Sequence, residues 1–69
     1  MKVIRKIYST SRGLIFEIKL NKDETVSERD IIEVDGFLYT IKELDFWRDL
    51  SKGFQEYRTF AIVKSEDSN

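Results

Sequence analysis

The chain has 69 residues, 41% of them hydrophobic and 36% charged, with a net charge of −1 and neither cysteine nor histidine. These figures exclude disulfides, thiolate or imidazole metal sites and every mechanism that needs a catalytic Cys or His. They leave room for one domain, whose stability must come from hydrophobic packing or from association, because a chain this short buries only about 60% of its unfolded surface.

The charge is unevenly placed. Residues 1–22 carry six Lys/Arg against one acidic residue, and residues 23–69 carry six against twelve. Two readings follow: a dipolar surface that steers partners, or charges that pair across neighbouring strands. No apolar run approaches the length of a membrane span, and no signal-peptide core follows Met1, so a cytoplasmic chain without membrane contact is expected.

Val3 to Tyr8 reads as a first strand, and Ser9 to Gly13 as a turn. Leu14 to Leu20 alternates, with Leu14, Phe16, Ile18 and Leu20 on a buried face and Ile15, Glu17 and Lys19 on the other. Asn21 to Asp30 is a polar loop in which Val26 is expected to plug the core. Ile31 to Val34 forms a strand ending at Asp35-Gly36, a pair suited to a type I′ hairpin turn. That turn sets Val34 opposite Phe37 and Ile32 opposite Tyr39, with Ile41 continuing the face.

Residues 41–52 admit two readings. A strand from Phe37 runs to about Leu44, with a helical turn near Phe46–Leu50. Alternatively Thr40-Ile41-Lys42-Glu43 caps a helix that carries Ile41, Leu44, Trp47 and Leu50 on one stripe and ends at Gly53. The strand is preferred because the hairpin needs a partner of matching length. Phe54 to Lys64 is the last strand, apolar on both faces near its end. The expected fold is therefore one all-β domain over residues 1–64, a five- or six-stranded small barrel or curled antiparallel sheet, with α+β as the alternative and residues 65–69 a disordered tail.

Candidate chemistry is sparse. Asp30, Glu33 and Asp35 face water, and Asn21-Lys22-Asp23-Glu24 lacks the ligand series of a calcium loop, so no metal, cofactor or small-molecule substrate is expected. Ser9-Thr10-Ser11-Arg12-Gly13 reads as an ordinary turn rather than a phosphate nest. Lys52-Gly53-Phe54 begins like an RNA-recognition strand, but Gln55-Glu56-Tyr57 does not continue it. Aromatic rings beside cations remain: Phe46, Trp47, Arg48, Tyr57 and Arg58 form a candidate binding surface around a Phe46–Gly53 loop. Lys2, Arg5, Lys6, Arg12 and Lys19 are candidate nucleic-acid contacts. The expected function is a non-enzymatic adaptor that engages a protein partner or itself, with nucleic-acid binding and structural assembly as the alternatives.

The stretch Val26 to Leu44, in which a loop enters a strand at Asp30, turns at Asp35-Gly36 and returns with Tyr39-Thr40-Ile41, resembles the second-domain barrels of translation elongation factors. It is also similar to phage head–tail connector barrels. The first resemblance implies RNA or translation-factor contacts, without the GTPase domain of that family; the second implies ring assembly. Neither supplies a catalytic residue, and a shared fold alone does not carry function.

Overall fold

The computed structural model describes residues 1–49 and 56–66, with side chains described through 47 and again from 58. Five strands form it: β1 (Lys2–Ser9), β2 (Gly13–Lys19), β3 (Ile31–Val34), β4 (Phe37–Asp49) and β5 (Glu56–Ser65). All neighbours are antiparallel, in the order β1-β2-β5-β4-β3, and the sheet curls into a half-barrel. No helix occurs among the described residues.

The even face of β2 dictates where the core lies. Phe16 and Ala61 are cross-strand partners, as are Leu14 and Val63, Ile41 and Val63, and Leu44 and Ala61. Ile32 and Val34 join from β3, and these side chains make one dry cluster with Phe16 and Ile41 fully buried at its centre. Tyr39 meets Phe16 edge-on, at 5.0 Å between ring centroids. Val26, from the loop that carries the chain from β2 to β3, packs against the cluster as expected.

The Asp35-Gly36 turn holds. Both residues have positive φ, 54° and 84°, and Val34–Phe37 and Ile32–Tyr39 pair as a two-residue type I′ loop requires. Lys6 on β1 donates to Asp35 Oδ2 at 2.5 Å, so one ion pair links the two opposite edges of the sheet.

The helical alternative for residues 41–52 is overturned up to Asp49, because β4 stays extended and pairs with β5 from Tyr39 to Asp49. The cause of the ambiguity is a bulge. The register slips between Ile41 and Glu43, leaving Lys42 as an extra residue, so Ile41 and Leu44 both face the core although they stand three apart. That spacing imitates a helical stripe. Beyond the bulge, alternation sends Trp47 to the face opposite Leu44, which no helix would do. A second bulge between Val3 and Arg5 does the same in β1. Leu50, Gly53 and Phe54 lie outside the described residues, as does the loop expected there; Phe46 and Trp47 belong to the strand instead.

Candidate functional site: the outer face of the sheet

Alternation leaves a second set of side chains on the outer, convex face, and cross-strand register arranges them in rows. Ile7, Ile15 and Ile62 form one row across β1, β2 and β5, and Arg5, Glu17, Phe60 and Asp45 form the next across β1, β2, β5 and β4. In the row after that, Lys2 opposes Lys19 and Trp47 opposes Arg58, which lies one residue beyond the Ile18–Thr59 pair and so alongside Lys19. A groove of about 170 Å³ runs through the middle, lined by Ile7, Ile15, Phe60, Ile62 and Trp47, with Arg12 and Asp45 at its border. Ile62 is buried on this face, while the Trp47 side chain is 63% exposed and touches Phe60 edge-on at 6.3 Å.

Glu17 is the anomaly of this face. It is only 7% exposed and accepts from Arg58 twice, Nε and Nη2 each at 3.0 Å, and its Oε1 also lies 3.1 Å from Arg5 Nη2. A planar guanidinium against a planar carboxylate gives two parallel bonds. The Arg58 bonds hold the Glu17 carboxyl below its ordinary value of 4.5, against the opposing effect of its burial, and Arg5 adds to the lowering. Arg58 also stacks over the Phe60 ring at 5.5 Å. Glu17 is therefore a fixed anion with its oxygens committed, a poor candidate for proton transfer.

At the other end, Arg12 reaches from the β1–β2 turn over the width of β2 and β5 to β4. It bonds Asp45 Oδ2 at 2.8 Å and approaches Glu43 Oε2 at 3.1 Å. The bond to Asp45, then that to Glu43, holds the guanidinium firmly in its charged form. The turn itself closes on Ser9 Oγ, which accepts from the Arg12 amide at 3.1 Å.

The structure therefore separates the sequence-derived candidates. Trp47 and Arg58 share the outer face with Lys2, Arg5 and Lys19; Phe46, 65% exposed, points to the core side of β4. Lys6 sits at the seam between the sheet edges, bound to Asp35. Arg48 and Tyr57 are register partners in the β4–β5 ladder, and their side chains lie outside the described ones. Arg5, Lys6 and Arg12 are each engaged by a carboxylate, whereas Lys2 and Lys19 have no acidic partner among the described residues. No group of acidic residues able to hold a metal ion occurs among the described residues.

Sequence reasoning missed Ile7, Phe60 and Ile62 as groove residues and Glu17 as a buried anion. The signal was present: Ile15 beside Glu17, and Phe60 and Ile62 in β5, are apolar on what alternation marks as the wet face.

Compared with known protein families, with characterised proteins and with solved structures, the chain gives no match to any of them.

Proposed function

We propose that this chain is a non-enzymatic binding module that engages a protein partner through Phe46 and Trp47, where the β4–β5 pair leaves the sheet. One observation carries the reading. β2 accompanies β5 only as far as Ile18–Thr59, while β4 and β5 pair on through Trp47–Arg58 and Arg48–Tyr57 to Asp49–Glu56. The hairpin thus leaves the sheet as a two-stranded ribbon, a form of marginal stability in isolation. At its root it exposes Phe46 on one side and Trp47 on the other. Large rings on both sides of a projecting ribbon are the anchors that protein interfaces favour, and a partner that grips them would cover apolar surface.

The charge pairing of Arg5, Lys6 and Arg12 favours this reading over a nucleic-acid site built on all five basic residues, because engaged cations bring less to a phosphate backbone. An assembly role is the alternative, and it rests only on the resemblance of the Val26 to Leu44 stretch to translation-factor or phage-connector barrels. Placing a photo-crosslinking amino acid at position 47, at 46, and at exposed Lys64 as control tests the proposal in the native cell. A discrete protein adduct from 47 or 46 and none from 64 is expected. Equal labelling at all three positions, or none at any, removes the reading.

A further inference from the structure

The outer face has a charge pattern that fits itself. Lys2, Arg5, Lys19 and Arg58 surround the single acid Glu17 at the corner where β1, β2 and β5 meet. Glu43 and Asp45 lie on β4, where Arg12 from the β1–β2 turn bonds both of them. The corner where Lys2 stands is three strands from β4, roughly 14 Å at the usual strand spacing. Between the two lies the apolar groove of Ile7, Ile15, Ile62, Phe60 and Trp47.

Among the described residues the five strands make a single sheet and no further element packs over this face, where the Trp47 side chain stands exposed.

We infer that the outer face is the interface for a second copy of this chain. Two copies pack face to face about a twofold axis lying in the interface plane, with the grooves in the middle. The axis sets Lys2 and Lys19 of one copy against Glu43 and Asp45 of the other, and the same contact recurs on the opposite side, as an isologous interface demands. Lys2 and Lys19 face each other across β1 and β2 as like charges, an unfavourable pair within one chain. Partner carboxylates relieve it. This inference rests on reading the molecule as a protein-binding module and names one occupant of its outer face.

Sedimentation equilibrium on the purified chain, from micromolar to submillimolar concentration and at low and high salt, tests it. A species of twice 8.2 kDa is expected, weakening as salt rises. Lys19→Glu and Glu43→Lys should each raise the dimer Kd about tenfold, since each places like charges in contact. An equimolar mixture of the two variants should recover dimer, because every contact in the mixed pair is again between opposite charges. Circular dichroism verifies that both variants are folded, and the salt titration of the unaltered chain stands if either is not. A single 8.2 kDa species throughout overturns the inference, as does a dimer indifferent to Lys19→Glu, to Glu43→Lys and to salt. A monomer that binds oligothymidylate in a Lys19-dependent way also overturns it and gives the face to single strands. If the chain is monomeric but position 47 still crosslinks to another protein, the second copy is lost and the binding-module reading survives.

Discussion

The two faces of this sheet are made from the same five strands and differ in how their apolar residues are treated. On the core side, curling, the β2–β3 loop with Val26 and the Lys6–Asp35 link all act to enclose Phe16, Ile41, Ala61 and Val63. On the outer side, Ile62 and its neighbours lie beneath a frame of arginine–carboxylate pairs and an exposed indole. Apolar content alone thus does not decide which face becomes the core of a small sheet. The face toward which the sheet curls is closed by its own chain, and the other is left with an amphipathic surface suited to another molecule.

That contrast can be broken most severely at Phe16. Phe16→Ala empties the centre of the core and should cost about 3–5 kcal/mol, enough to leave the domain largely unfolded in a urea titration followed by circular dichroism. Glu17→Gln, on the outer face, should cost less, about 1–3 kcal/mol, because Arg5 and Arg58 lose their anion yet keep access to water.

The same glutamate sharpens the comparison through pH. Its carboxyl is lowered from 4.5 in the fold by the Arg58 bonds, so the unfolded chain takes up the proton first as pH falls. Its contribution is complete above about 4.5 and lost as pH falls through the lower, folded value. Urea midpoints of the unaltered chain and Glu17→Gln should therefore converge in acid and differ at neutrality; equal spacing at both would show the pairing to be inert. Gly36→Ala tests the hairpin that both faces share. Its φ of 84° favours glycine, and the substitution should cost about 1–2 kcal/mol. The smallest effect on folding is expected from Trp47→Ala, roughly 0.5–1.5 kcal/mol from the lost Phe60 contact, while the partner adducts formed from position 46 should largely disappear. If Trp47→Ala instead unfolds the domain, the ring is structural and the outer face is not an interaction surface.

Much of this architecture is legible in the residues themselves. Period-two alternation in β2 identifies Phe16 and Ile18 as core, and Asp35-Gly36 specifies a hairpin and its register, because few backbone geometries place two positive φ values side by side. Those are local properties, set by neighbours in the chain. The bulge at Lys42 is not: it changes which side chains share a face only once β5 is present as a ruler, so the spacing of Ile41, Leu44 and Trp47 was ambiguous until the strands paired. The outer site is likewise a product of register. Asp45, Phe60, Glu17 and Arg5 come from four different strands and become one row only when the ladders align. Local sequence therefore determined strands, turn and core face through steric and periodic rules that act over a few residues. The tertiary structure alone decided the ion-pair partners, the groove and the projecting ribbon, because those depend on long-range pairing that no short stretch encodes.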